Sequence, residues 1–222
     1  MIISEVYNID CKEYMKNIPA GFFELAIVDP EYGIGASEMT MGSGKNKQWK
    51  TGKRWDNNPP SEEYFKELFR ISKNQIIWGG NYFSNILKPT KSWIFWDKGI
   101  DGDCSFADGE LAWTSFNIVL RKAQIRYKGF LGADKVRIHP TQKPILLYSW
   151  ILKNYAKAGD KIFDSHLGSG SNRIAAYKMG FDFYACEIDK DYFKTQEERF
   201  KKECLGEIIL PGGAKAVQKS LF

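Results

Sequence analysis

The chain has 222 residues, of which 43% are hydrophobic, enough to build the core of one α/β domain. Its formal net charge of +5 suits a polyanionic partner but is equally common in soluble enzymes, so charge excludes little. The four cysteines form no Cys-x-x-Cys pair and there are only two histidines, which argues against a zinc site. No apolar run approaches the roughly 18 residues of a membrane helix, and no signal sequence is evident. We therefore expect a reduced, cytoplasmic protein.

An apolar run near the N-terminus predicts a buried strand of a parallel sheet. Residues 22–28 read Phe-Phe-Glu-Leu-Ala-Ile-Val and follow a turn signal. Asp29 then stands at the carboxyl end of the strand, the edge where open α/β sheets bind ligands. Pro30 fixes its own φ and favours an extended Asp29, so that a carboxylate and a carbonyl are held rigidly, with the Tyr32 ring nearby. Taken alone, this pattern is also an ordinary turn.

A long polar segment, 33–58, follows the strand. It is rich in Gly, Ser, Lys and Asn, and loops of this length are usually functional or disordered. Cations interleaved with tryptophans suit phosphate contact and base stacking, whereas a mobile, solvated loop is the alternative. The residues that we expect to contact nucleic acid are Lys45, Lys47, Lys53, Arg54 and Trp55.

The middle of the chain predicts one helix and several strands. Proline and capping signals at 59–63 open the helix. Short β-branched and aromatic runs at 75–78, 93–96 and 110–116 predict strands of the same sheet. Gly79 to Tyr82 stand at a strand end and could border a pocket.

The C-terminal half predicts a nucleoside-binding βαβ unit. Residues 160–171 indicate a strand, a Gly-Ser-Gly turn and a helix start, and Gly180 ends that helix. A second strand at 183–186 leads to Glu187, about 20 residues beyond the turn, where an acidic side chain binds ribose hydroxyls. The turn lacks the third glycine of a dinucleotide site, which favours S-adenosylmethionine over NAD. A plain strand-turn-helix is the alternative.

Several of these segments resemble the motifs of the amino-methyltransferases that modify DNA bases. Asp164-x-x-x-Gly168-Ser169-Gly170 is similar to motif I, which binds S-adenosylmethionine, and Glu187 to the acidic residue of motif II. Asp29-Pro30-x-Tyr32 is similar to motif IV, the target-amine pocket.

Two further segments complete the resemblance. The sequence His-Pro-Thr-Gln-Lys-Pro at 139–144 is similar to motif X, and the predicted helix at 145–155 follows it as in that family. Asn8-Ile9-Asp10-Cys11 resembles motif III, whose aspartate meets the adenine amine of the cofactor. The catalytic strand precedes motif X and the cofactor half, which is the permuted order of the β-class enzymes found in phage and restriction systems.

The resemblance implies a fold and a division of the chain. We expect a Rossmann-like class I methyltransferase fold of the α/β class, with a mostly parallel sheet, helices on both faces and a circularly permuted motif order. A single catalytic domain should span 1–210, with a mobile DNA-facing loop at 33–58 and a target-recognition region at 97–138. That region is short, which suggests that few bases are read or that a second subunit of a homodimer helps. The tail at 211–222 shows no periodicity, and we expect it to be loose.

The resemblance also implies an activity. The protein would methylate the exocyclic amine of a base flipped out of double-stranded DNA, with the Asp29 carboxylate and the Pro30 carbonyl accepting the amine hydrogens and Tyr32 stacking on the base. The residues implied to bind the cofactor are Asp10, Thr141, Lys143, Asp164, Gly168, Ser169, Gly170 and Glu187. Asp-Pro-x-Tyr is commoner in adenine-N6 enzymes, and the cytosine-N4 amine is the alternative target.

Two residues depart from the family pattern. Glu31 stands where the family usually has a second proline, and His166 where it has an aromatic or other apolar residue. Glu31 adds negative charge beside a base pocket, so a catalytically impaired DNA-binding homologue stays an alternative. Other classes left open are an RNA or protein-glutamine methyltransferase and, least favoured, a nicotinamide oxidoreductase.

Overall fold

A computed structural model of the protein describes residues 2–35, 56, 58–100, 107–127, 134, 137–209 and 215–217. The strands are β1 (Ser4–Tyr7), β2 (Phe23–Val28), β3 (Ser72–Trp78), β4 (Trp93–Asp97), β5 (Gly109–Thr114), β6 (Arg121–Gln124), β7 (Lys161–Asp164), β8 (Asp182–Cys186), β9 (Glu207–Ile209) and β10 (Lys215–Val217). The helices are α1 (Cys11–Lys16), α2 (Glu62–Ile71), α3 (Ile145–Tyr155), α4 (Ser171–Lys178) and α5 (Lys190–Leu205), and a 3-10 helix covers Gly80–Phe83.

The main sheet has eight strands in the order β1-β8-β7-β2-β3-β5-β4-β6. Every neighbouring pair is parallel except β3 with β5 and β5 with β4, so β5 alone in this sheet runs against the others. The predicted α/β class with a mostly parallel sheet is confirmed.

Two hydrophobic cores lie on opposite faces of the sheet. Strand β2 contributes apolar side chains to both cores. Leu25 and Ile27 pack in the core beneath α3 and α4, while Ala26 and Val28 pack in the core beneath α1 and α2. All four side chains are at most 1% exposed. Continuous apolar runs of this kind are typical of central parallel strands that helices cover on both sides.

The strand order changes direction between β7 and β2. Helix α2 connects β2 to β3 on one side of this point, and helix α4 connects β7 to β8 on the other side. Such a switch point opens a crevice at the carboxyl ends of the two strands. Asp29 follows β2 and Asp164 ends β7, so residues that are far apart in sequence meet at this crevice.

Some elements differ from the sequence-based expectation. The short β1, α1 and β6 and the longer α5 were not predicted, because the first three offer too few residues for periodicity and α5 is strongly charged. The tail expected to be loose contains β10, which pairs antiparallel with β9. Within the described residues, no helix has the length and apolar character needed to cross a bilayer.

Candidate active site

A cavity opens at the carboxyl edge of the sheet, beside the switch point. Its volume is about 780 Å³, within the range of small-molecule and cofactor pockets. The predicted site residues in its wall are Asp10, Asp29, Pro30, Tyr32, Thr141, Lys143, Gly168, Ser169 and Glu187. The two halves of the predicted site therefore face one space.

Asp29 is held by Tyr32 in the part of the cavity formed by residues 29–32, which we call the target-amine half after the function that the resemblance predicts for it. The Tyr32 hydroxyl donates to Asp29 Oδ1 at 2.6 Å, and Pro30 between them is buried. Burial, and then the charge of Asp29, raise the pKa of Tyr32 well above its usual range. Tyr32 is therefore a neutral hydrogen-bond donor, and it orients the carboxylate.

The Tyr32 ring belongs to an aromatic pair. It stacks on Tyr82, with centroids 5.0 Å apart and planes at 15°, and Tyr82 is 47% exposed. Gly79 lets the backbone approach the ring, since its φ is +67° and a Cβ there would lie 2.2 Å from Tyr32 Cε1. The expectation that this segment borders the pocket is confirmed, because Gly79, Asn81 and Tyr82 line the cavity.

Asp56 holds the turn that carries Tyr32. It is 1% exposed, and its Oδ1 accepts the backbone N–H groups of Tyr32 at 2.7 Å and Gly33 at 2.8 Å. Sequence reasoning missed this residue, because an aspartate at the end of a polar loop carries no pattern of its own. Asp56 thereby fixes the turn at Tyr32 and Gly33.

Lys143 lies against Asp29. Its Nζ is 2.5 Å from Asp29 Oδ2 and 3.1 Å from Glu110 Oε2, and its side chain is 3% exposed. Burial lowers the pKa of Lys143, but the charges of Asp29 and Glu110 outweigh it, so the pKa is raised overall. The assignment of Lys143 to the cofactor stays a prediction; in the structure its ammonium group contacts the carboxylates of Asp29 and Glu110.

Glu110 completes this charge cluster, and sequence reasoning did not single it out. Because β5 runs against its neighbours, its first residues lie at the edge where the parallel strands end. Glu110 also pairs with Lys98 at 2.8 Å. Burial raises the pKa of Glu110, but attraction to Lys143 and Lys98 prevails and lowers it to about 2. Two carboxylates and two ammonium groups thus form a balanced set.

The cofactor turn joins β7 to α4. Gly168 and Gly170 have φ of +51° and +72°, a conformation that side chains disfavour, and α4 begins directly after Gly170. Asp164 lies behind the cavity wall, where its oxygens accept the N–H of His166 and the amide of Asn172, each at 3.0 Å. Burial raises the pKa of Asp164 to about 6. Asp164 therefore shapes the turn from behind.

Glu187, after β8, closes the other side of this turn. Its Oε2 accepts the N–H of Gly168 at 2.8 Å and its Oε1 that of Asp189 at 2.9 Å. Burial raises the pKa of Glu187. Asp10 caps α1 by accepting the N–H of Lys12 at 2.8 Å and lines the same half of the cavity.

Thr141, in the motif X segment, also lines the cavity. Its hydroxyl lies 3.1 Å from His139 Nδ1, and the His139 ring packs against Tyr192 at a centroid distance of 4.3 Å. Both rings line the cavity. The motif X segment thus covers the cofactor turn.

The two residues that depart from the family pattern contact each other. His166 Nε2 lies 3.1 Å from Glu31 Oε2, and both side chains line the cavity. Burial lowers the pKa of His166, but the charge of Glu31 outweighs this and raises the pKa to about 9. Burial raises the pKa of Glu31, and His166 lowers it by more. Glu31 is therefore not an isolated negative charge.

The residues expected to contact DNA, Lys45, Lys47, Lys53, Arg54 and Trp55, lie outside the described residues. Of the expected target-recognition region 97–138, the structure describes strands β5 and β6 and their surroundings. Lys122 on the edge strand β6 pairs with Asp97 at 2.9 Å and is half exposed. The described part of this region is thus an extension of the sheet.

Comparison with known sequences places the chain in a family. A family model described as a DNA methylase of the N6/N4 type matches residues 39–198. The Type II methyltransferase M.HpaI of Haemophilus parainfluenzae is 24% identical over 234 aligned positions, covering 86% of this chain and 72% of that protein. M2.DpnII of Streptococcus pneumoniae is 37% identical over 65 residues, which span 29% of this chain and 24% of that protein.

Solved structures show the same fold. M1.HpyAVI in complex with SAM has a TM-score of 0.60 and 21% identity, covering 90% of this chain and all of that one. The PvuII DNA methyltransferase, described as cytosine-N4-specific, has a TM-score of 0.59 and 14% identity, covering 90% and 87%. The family model spans motif X and the cofactor turn but begins after Tyr32. By this match, the chain belongs to the family of S-adenosylmethionine-dependent N6/N4 DNA methylases.

Proposed function

We propose that the protein transfers a methyl group from S-adenosylmethionine to the N6 amine of an adenine flipped out of double-stranded DNA. The observation that carries this proposal is the meeting of Asp29 and Pro30 with the Gly168 turn in one cavity. In the reaction the carbon-sulfur bond of the donor breaks, a carbon-nitrogen bond forms, and the nitrogen loses a proton.

The residues of the cofactor half fit this donor. Each oxygen of Glu187 accepts one backbone N–H and keeps a lone pair for a ribose hydroxyl. Asp10 offers a carboxylate to an amine, and the left-handed Gly168 brings backbone rather than a side chain to the cavity. S-adenosylmethionine supplies an electrophilic methyl group on a positively charged sulfur.

The target-amine half supplies two acceptors. An exocyclic amine is a poor nucleophile, because its lone pair is delocalised into the base. Asp29 has used one lone pair of Oδ1 for Tyr32 and one of Oδ2 for Lys143, so each oxygen keeps one for an amine hydrogen. With the Pro30 carbonyl, this carboxylate favours a pyramidal nitrogen and stabilises the positive charge that develops on it.

Base binding would use the aromatic pair Tyr32 and Tyr82. Stacking on an aromatic ring contributes roughly 1–3 kcal/mol per base, enough to offset much of the cost of flipping. Tyr82 presents the exposed ring of the pair. The basic segment with Lys45, Lys47, Lys53, Arg54 and Trp55 is our proposal for phosphate contact.

Two other functions each have a specific argument. The fold is similar to that of the PvuII enzyme, which is described as cytosine-N4-specific, so cytosine is the second candidate base. A catalytically impaired homologue was suggested by Glu31 alone, and the pairing of Glu31 with His166 weakens that case because the charge is compensated. The Type II methyltransferases among the relatives favour a role in a restriction-modification system.

The experiment is methylation of unmethylated genomic DNA followed by mass spectrometry of the nucleosides. We expect N6-methyladenine and no N4-methylcytosine. N4-methylcytosine would assign the second candidate base, and methylation of RNA in preference to duplex DNA would overturn the proposed substrate. The absence of any methylated nucleoside, with cofactor binding intact, would identify an impaired homologue.

A further inference from the structure

Glu31 and His166 join the two halves of the cavity. Glu31 follows Pro30, one of the proposed amine acceptors, and His166 lies in the turn between β7 and Gly168. Because β2 and β7 are neighbours in the sheet, the two side chains meet across the switch point at 3.1 Å. Under the proposed function, the methyl group passes between these same two segments.

The pair is anchored by two further residues of the cavity wall, Ser165 and Tyr64. His166 Nδ1 lies 2.8 Å from the hydroxyl of Ser165, which lies 2.6 Å from the hydroxyl of Tyr64 on α2. Tyr64 is 2% exposed. A doubly protonated His166 ring donates one hydrogen to Glu31 and the other to Ser165, so both ring nitrogens have partners. The positive charge of His166 therefore has a fixed location.

The pair is electrically neutral as long as His166 is protonated. We propose, building on the proposed function, that Glu31 and His166 form a charge-balanced positioning pair between the two segments that would hold the methyl donor, which sets the preference of the cavity for the charged donor over its uncharged product. Removing either member leaves one charge of known sign in the wall of the cavity. The proposal therefore makes opposite predictions for the two single variants.

The other acidic groups around His166 respond to its charge, since burial raises the pKa of Asp164 and of Glu187 whereas the charge of His166 lowers it. Asp164 on β7 accepts the His166 N–H, and Glu187 after β8 adds negative charge. From α2 the Tyr64 hydroxyl is neutral, since burial raises its pKa well above its usual range. From α1 the Cys11 thiol is also neutral, because burial raises its pKa to about 12. A double variant that lacks both Glu31 and His166 therefore shows how much of any shift comes from Asp164 and Glu187 and how much from the pair.

The test compares two probes by titration calorimetry of the full chain: S-adenosylmethionine, whose sulfur is charged, and S-adenosylhomocysteine, whose sulfur is neutral. At pH 6.0 we expect His166→Phe to shift the affinity ratio about three- to tenfold toward the charged probe, and Glu31→Gln to shift it by a similar factor away from it. The double variant should return near the wild-type ratio. Glu13→Gln on the exposed face of α1 is the matched control and should leave the ratio unchanged.

The pH dependence provides a second readout. In Glu31→Gln, His166 loses the carboxylate that does most to raise its pKa, so its positive charge and the shift in the affinity ratio should both fade as the pH rises from 6.0 to 8.5. If His166→Phe fails to fold, His166→Gln gives the same charge change. Equal weakening of both probes would mean that the pair is only structural and would overturn the proposal. Failure of the wild-type chain to bind either probe would overturn the proposed function as well, whereas binding without a ratio shift contradicts the pair alone.

Discussion

The ammonium group of Lys143 lies 2.5 Å from Asp29 Oδ2, and both groups face the cavity in which the methyl transfer is proposed to occur. Glu110 lies 3.1 Å from the same ammonium group. Lys143 therefore fixes the orientation of Asp29 and compensates two carboxylates at once. This contact ties the motif X segment to the target-amine pocket, a connection that the sequence motifs do not reveal.

Replacing Lys143 by methionine should lower both stability and activity. The change leaves Asp29 and Glu110 without their shared ammonium group, and breaking a buried ion pair costs about 3–5 kcal/mol; some exposure of the carboxylates lowers our expectation to about 2–4 kcal/mol. Urea unfolding measures this loss. The control is Lys122→Met, which breaks the half-exposed pair with Asp97 and should cost less than about 1 kcal/mol. Equal losses in the two variants would contradict the assigned role.

Glu110 should make the fold acid-sensitive. Burial raises the pKa of Glu110, but attraction to Lys143 and Lys98 outweighs burial and lowers the pKa to about 2. In the unfolded chain a glutamate titrates near about 4.3. At a pH above the unfolded pKa, the ionised Glu110 therefore stabilises the fold by about 2–3 kcal/mol. This contribution is lost as the pH falls from about 5 to about 2. Glu110→Gln should be less stable than wild type at pH 7, and the difference should narrow in acid. A Glu203→Gln control on the surface should show no such narrowing.

His166 should make the fold sensitive to alkali. Burial lowers its pKa, but Glu31 raises it to about 9, above the unfolded value of about 6.5. The resulting stability, about 2–3 kcal/mol, is fully present below pH 6.5 and is lost as the pH rises toward 9. Thermal unfolding between pH 6 and 9.5 checks this, and Glu31→Gln should remove most of the slope. A slope that persists in the variant would assign the effect to another group.

Gly79→Ala should lower activity by displacing Tyr32. A Cβ at residue 79 would lie 2.2 Å from the Tyr32 ring, so the ring must shift and its hydrogen bond to Asp29 should be disturbed. Gly180→Ala is the matched control, because its φ is also positive, +82°, but nothing lies within 4 Å of its Cβ. Backbone strain should cost about 1 kcal/mol in both variants, and the clash with Tyr32 should add about 1–3 kcal/mol in the first variant only. We expect a fall in kcat of at least about tenfold in the first variant only, measured as methyl transfer.

The elements with strong local patterns could be predicted from the sequence. The apolar run at 22–28 and the Gly-Ser-Gly turn are both recognised from residues that are adjacent in the sequence. The observed strand β2 and the observed start of α4 lie within one residue of their predicted positions. Helix α3 begins and ends at the predicted residues 145 and 155. The cavity at the switch point then follows from the parallel arrangement of β2 and β7.

The contacts between distant segments could not be predicted. Glu110 lies in a recognisable strand, but its place in the site depends on the reversed direction of β5, which no local pattern encodes. The pairing of Glu31 with His166 requires β2 and β7 to be neighbours, and sequence reasoning treated the two departures as unrelated. Asp56 acts through hydrogen bonds to the Tyr32 turn, which only the folded chain brings near.

The most direct test of the central claim is the transfer of a labelled methyl group from S-adenosylmethionine to unmethylated duplex DNA by wild type and by Asp29→Ala, with cofactor binding measured in parallel. Removing the Asp29 carboxylate takes away an acceptor for the amine but leaves the cofactor half intact. The account predicts a fall in transfer of at least about a hundredfold at nearly unchanged cofactor affinity. Equal transfer by the two proteins would contradict it.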